Sequence, residues 1–117
     1  MLTFPKPIPD QEFLGELEQM ILLAVMRLGD SGYAVSIRKH ILERVGRDVS
    51  RGAVYITLDR LEQKGYLASY LTEPTPIRGG KAKRCYNVTA AGELALRHSR
   101  AALLRLWEGL EVRLAQA

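Results

Sequence analysis

With 117 residues, 47% of them hydrophobic and 26% charged, the chain fits one small globular domain around one core. Its formal charge of +4 is only mildly basic, and its single cysteine, Cys85, excludes an intramolecular disulfide and a thiol-rich metal site. The longest apolar run, Met20–Met26, is too short to span a bilayer and the N-terminus lacks a signal-peptide core, so a cytoplasmic protein away from any membrane is expected.

Residues 1–9 carry prolines at 5, 7 and 9, which fix φ and remove amide donors, and they predict an extended N-terminal arm. Asp10 precedes a helix whose broad apolar face comprises Phe13, Leu14, Leu17, Met20, Ile21, Ala24, Val25 and Leu28, ending at Gly29-Asp30. A face this wide has to bury two sides, and in so small a domain the second is available to a partner chain. Glu16, Glu18 and Gln19 fall outside the stripe.

Ser31-Gly32 opens a second helix from Tyr33 to about Val45, with Val35, Ile37, Ile41, Leu42 and Val45 inward and Ser36, Arg38, Lys39 and Glu43 outward. A short connection leads to the stretch SRGAVYITLDRLEQKG, where Ser50 can cap a helix, Gly65 can stop it, and Val54, Leu58 and Leu61 form the apolar stripe. The opposite side shows Gly52, Ala53, Ile56, Asp59, Arg60 and Gln63, flanked by Arg51 and Tyr55. Two small residues beside an outward Ile and Tyr suit a helix lying close to a partner better than one facing water. Helix, short turn and helix make the helix-turn-helix arrangement, a pattern that also occurs in all-α domains that bind no nucleic acid.

Residues 66–71 read as a strand, Thr72–Lys83 as a loop broken by Pro74, Pro76, Gly79 and Gly80, and Arg84–Val88 as a second strand. Residues 76–86 hold four bases and no acid, whereas residues 1–30 hold two bases and five acids. A basic hairpin directly after a helix-turn-helix is a wing. Thr89 can cap a last helix, with Gly92 where a capping box would place Glu or Gln. Run to about Ala115, that helix would span roughly 39 Å. Leu96, Leu103 and Leu110 recur at seven residues beside Leu106, Trp107 and Leu114, which favours dimerisation.

The ordered motifs LGELEQMILLAVMRLGDSGYAVSI, GAVYITLDRLEQKGYL and GGKAKRCYNVTAAG resemble the PadR family of bacterial transcriptional regulators over about residues 13–110. The resemblance implies a winged helix-turn-helix, a homodimer made largely by the C-terminal helix with help from the first, and repression at a near-palindromic operator. It also implies that a small, often aromatic, molecule releases DNA in some members. Carried onto this chain, Tyr55 and Arg51 contact the operator, Gly52 allows close backbone approach, and Lys81, Lys83 and Arg84 lie in the wing. Cys85 stands where many members have Tyr. Trp107 lies a turn later than the helical Trp of drug-binding relatives, with Leu103 at the earlier turn, so the aromatic wall of any effector pocket is differently placed. As in the short branch of the family, no separate sensing domain is expected.

The expected fold is mainly α with a small β-hairpin wing: an arm (1–9), a winged helix-turn-helix domain (10–89) and a long C-terminal dimerisation helix (90–117). Candidate contacts to double-stranded operator DNA are Arg38, Lys39, Ser50, Arg51, Gly52, Tyr55, Lys64, Lys81, Lys83 and Arg84, chiefly at phosphates. For base readout, Arg51 or Arg60 could reach guanine and Ala53 or Ile56 a thymine methyl, although Arg60 could equally pair with Asp59 or Glu62. The homodimer interface, or a pocket for a small aromatic ligand, draws on Leu14, Leu17, Ile21, Leu96, Leu103, Leu106, Trp107, Leu110 and Leu114. His40 and His98 are far apart, and no catalytic, metal or cofactor constellation is found. Cys85, beside Lys83 and Arg84, reads as a strand residue before a redox-sensing thiol. The alternative function is a winged-helix module for protein interaction or apolar-ligand binding without an operator.

Overall fold

The structure, a computed structural model, describes residues 13–73 and 82–115. The arm, Asp10, Lys81 and most of the wing loop lie outside the described residues. Four principal helices and one hairpin follow in the order α1 (Glu16–Leu28), α2 (Ala34–Val45), α3 (Arg51–Gln63), β1 (Leu67–Leu71), β2 (Arg84–Val88), α4 (Ala90–Trp107), with a short α5 (Glu111–Ala115) after them. This is a mainly helical winged helix-turn-helix, as expected. Its core joins Ile21, Leu22 and Val25 of α1, Ile37 and Ile41 of α2, Val54, Leu58 and Leu61 of α3, and Leu67 and Tyr86 of the hairpin.

The first helix begins later than its apolar pattern suggested. Gly15 is extended, and the Leu14 amide donates to Ser99 Oγ of α4 at 3.0 Å, which holds residues 13–15 against α4 instead of in a helical turn. Glu18 then accepts the Gly15 amide at 2.9 Å and satisfies one free donor of the helix start. Gly29, at φ +55, ends α1, and a single 3₁₀ turn (Gly29–Ser31) leads toward α2.

The face of α2 is narrower than expected. Ile37 and Ile41 are buried, but Val35, Leu42 and Val45 are exposed. Val35 and Leu42 lie roughly 140–160° around the helix from Ile37, beyond the arc that α1 and α3 can cover.

For α3, Ser50 Oγ accepts the Ala53 amide at 3.1 Å at the start. At the end, the Tyr66 and Gly65 amides return to the Leu61 and Glu62 carbonyls at 2.9 and 3.0 Å, with Gly65 at φ +80. That pair of bonds is the Schellman arrangement, which needs a left-handed residue where Gly65 stands. β1 and β2 pair antiparallel from Leu67↔Val88 to Leu71↔Arg84. The Tyr86 amide also donates to Gly32 O at 2.9 Å, tying the hairpin to the turn before α2.

The expected single C-terminal helix is instead broken. Its first part runs Ala90–Trp107, 18 residues or about 27 Å, and the chain turns at Glu108–Gly109, where Gly109 takes φ +83. Leu103 and Leu110 are therefore not on one continuous helix, and the heptad seam stops after Leu103. Only the first half of α4, through Ala95 and Ser99, is buried against the domain.

Candidate nucleic-acid interface

With Val54, Leu58 and Leu61 locked in the core, α3 turns its opposite side outward: Arg51, Gly52, Tyr55, Ile56, Asp59, Arg60 and Gln63 are exposed and Ala53 is partly covered. Ile56 is 61% exposed, an unusual place for a large aliphatic side chain beside charged residues. Gly52 has no internal reason to be glycine. A Cβ built on it meets nothing within 4 Å and its φ is not positive. Glycine in a helical turn costs about 0.5–1 kcal/mol relative to alanine, and no close contact among the described residues requires it here.

The candidate cations fall into two groups. Arg51 and Arg60 make no ion pair among the described residues, and Lys39 has only an exposed contact with Glu43 at 3.8 Å, so all three can reach outward. Others are committed internally. Arg38 Nε donates to the Val49 carbonyl at 2.7 Å and Nη2 to Asp48 at 3.3 Å, bracing the turn between α2 and α3. Lys64 Nζ lies 2.8 Å from Glu18 Oε2 and joins the end of α3 to the start of α1. Glu18, expected outside the apolar stripe, is buried. Burial pushes its carboxyl up, but the Lys64 and Gly15 hydrogen bonds and the charges of Lys64 and Arg60 outweigh this and hold it below the usual carboxylate value.

At the wing base, Arg84 Nη1 donates to Ser69 Oγ at 2.9 Å, and the Ser69 hydroxyl donates to Glu62 of α3. Lys83 Nζ sits 4.2 Å from the centroid of the Tyr33 ring, and its amide donates to Thr72 Oγ1 at 2.8 Å. The wing is thus fastened to α3 and to the start of α2. Sequence reasoning missed these ties because Glu18–Lys64 and Ser69–Arg84 join residues 46 and 15 positions apart, with no local periodic signal.

The proposed interface residues also divide. Leu14 and Ile21 belong to the chain's own core, which corrects their assignment to a dimer or effector surface, while Leu17 and Leu96 pack at its margin. Leu103, Leu106, Trp107, Leu110 and Leu114 are exposed, Leu106 at 75%. Leu23 and Met26 of α1, absent from the sequence-based set, are exposed too and line a groove of about 480 Å³ against Leu96, Leu103, Leu104 and Trp107. A second groove of about 460 Å³ lies between α2 and α3. Cys85 is 1% exposed, its Sγ 3.7 Å from the Asp30 carbonyl, so the thiol is shielded from oxidants. Among the described residues, no three His, Cys, Asp or Glu side chains are grouped to hold a metal ion, and no helix is long and apolar enough to cross a membrane.

This arrangement has known counterparts. The model of the Transcriptional regulator PadR-like family matches residues 22–98, from α1 through the wing into α4. The chain belongs to the PadR family. Transcriptional regulator Rv3488 of Mycobacterium tuberculosis is 43% identical over 65 residues, which span 56% of this chain and 57% of that relative's length. The crystal structure of a PadR family transcription regulator from Clostridium difficile R20291 is similar at TM-score 0.68 and 25% identity, over 86% of this chain and 99% of that one. Bacillus subtilis PadR, solved in complex with operator DNA, shares the fold at TM-score 0.56 and 19% identity, over 70% of this chain and 46% of that one. The PadR match covers the helix-turn-helix and the wing together, so the outward face of α3 lies within the matched region.

Proposed function

We propose that the protein is a homodimeric, sequence-specific DNA-binding repressor that occludes its operator and acts in the cytoplasm. Each protomer sets α3 in a major groove, and the two helices stand about 34 Å apart to meet successive turns of the duplex. Arg51, Tyr55, Ser50 and Lys39 hold phosphates, with Gly52 letting the backbone come close. Arg60 and Arg51 offer donors to guanine, while Ile56 and Ala53 offer hydrocarbon to thymine methyls. Lys81, Lys83 and Arg84 carry the wing to the flanking backbone. Arg38 and Lys64 act as braces that set the angle of α3, and touch DNA less than their charge suggests.

The observation that carries this reading is the outer face of α3, where an internally unneeded glycine stands beside an exposed Ile and Tyr and two arginines that make no ion pair among the described residues. The operator complex of Bacillus subtilis PadR supports it by analogy of fold. The second copy covers the apolar end of α4 together with Leu23 and Met26, and a small aromatic effector enters the groove beside Trp107. An effector there would release DNA by favouring a dimer with different spacing of its two α3 helices. Selection of bound sequences from a random duplex library, with and without aromatic compounds, tests both statements. Enrichment of a near-palindrome is expected. Failure to enrich any duplex would favour an interaction module without an operator.

A further inference from the structure

The groove between α2 and α3 is not accounted for by DNA binding. Phosphates call for cations, hydroxyls and amides. Yet the floor of this groove is hydrocarbon: Val54 is buried at its base, and Val35 and Leu42 stand 57% and 46% exposed along α2. The same walls carry Arg38, Lys39 and Arg51 against a single acid, Asp48. Asp48 is already held by Arg38 at 3.3 Å, and the Lys39–Glu43 contact is an exposed pair that solvent screens, so the lining has cationic charge to spare. At about 460 Å³ the groove has the size of a small-molecule site.

We propose that this groove binds a small organic anion with an apolar body, an aromatic or aliphatic carboxylate or sulfonate, and that the bound ligand excludes DNA directly. The hydrocarbon would cover Val35, Leu42 and Val54 while the acid group meets Arg51 and Lys39. Exclusion rests on the DNA-binding reading above, because Lys39, Arg51 and Tyr55 line the groove and also belong to the candidate DNA surface. Ligand and phosphate backbone then compete for one set of atoms. A competitor of this kind raises the apparent Kd of a duplex in proportion to free ligand, without a plateau. A ligand in the α1–α4 groove would act through two conformations, and its effect would saturate.

The probe is 8-anilinonaphthalene-1-sulfonate, an aromatic anion that fluoresces on leaving water, titrated into the full chain and into three variants. Val35→Asp and Leu42→Asp place a charge on exposed positions and leave the core untouched, which far-UV circular dichroism verifies. Arg100→Glu reverses an exposed charge that lines the other groove. Each aspartate variant is expected to weaken one class of probe site about tenfold or more, and Arg100→Glu to leave that class unchanged. Probe binding that survives whole in both aspartate variants but weakens in Arg100→Glu overturns the assignment, as does no binding to the parent chain. In a second titration, the probe should displace a short duplex at low salt with a linear rise in apparent Kd, and a plateau overturns direct exclusion. If the parent chain binds no duplex, the DNA-binding reading fails, and the aspartate variants still decide whether the groove is a site.

Discussion

A Cβ on Gly92 would lie 2.4 Å from the Tyr66 carbonyl oxygen and 2.9 Å from Val88 Cγ1. The first is backbone and cannot swing aside. Gly92 thus lets α4 start directly on the turn between α3 and β1, where the Thr89 hydroxyl also donates to the Gly65 carbonyl at 2.6 Å. As a capping position Gly92 looks deficient, whereas as a packing position it admits nothing larger. Gly92→Ala should cost about 1–3 kcal/mol in a urea or thermal unfolding measurement, and a neutral result would mean that α4 can lift from the turn without penalty. Glu18 makes a second residue-scale prediction. Its carboxyl is held below the ordinary value of 4.5, so the stabilisation it contributes is complete above that value and disappears as pH falls through its folded value. Glu18→Gln should lower stability by about 1–2 kcal/mol at neutral pH. Below about pH 4.5 the unfolding midpoints of parent and variant should converge.

Among the elements, α3 was the most legible. Its cap at Ser50, its stop at Gly65 and its buried stripe all depend on neighbours within one or two turns, which is the range over which sequence periodicity and capping chemistry operate. Both strands were legible for the same reason, with β2 found at its full extent and β1 within one residue. The start of α1 and the end of α4 were less so. A hydrogen bond from Leu14 to Ser99 unwinds the former, and a left-handed glycine at 109 ends the latter within an otherwise continuous helical pattern. The candidate site was half legible: the outward residues of α3 follow from helical geometry, but the internal commitments of Arg38, Lys64 and Arg84 need the tertiary structure. At this scale the wing should behave as a polyanion-binding element. Replacing Lys83 and Arg84 together by Ala should weaken duplex binding and make the slope of log K against log salt shallower by about 0.9 for each phosphate no longer neutralised. An unchanged slope would remove the wing from the interface.

On the scale of the whole molecule, α4 leaves the domain after Ser99 and carries Leu103, Leu104, Leu106 and Trp107 into solvent. Apolar surface of this kind is the usual mark of an interface between chains. Leu106→Lys should leave the winged helix folded and shift the protein toward monomer in analytical ultracentrifugation, with duplex affinity falling because two half-sites are no longer read by one particle. A dimer that persists in this variant would place the interface elsewhere. By itself the sequence determined the order of helices and hairpin, most of the core, and the outward face of α3, because each is written in local periodicity, caps and turn residues. Only the tertiary structure decided that Leu14 and Ile21 are sealed inside, that Glu18 and Lys64 bind each other, and that Val35 and Leu42 open a groove beside α3. Those outcomes depend on which surfaces separate elements cover when they meet, and a pattern that repeats every few residues carries no record of what will pack against it.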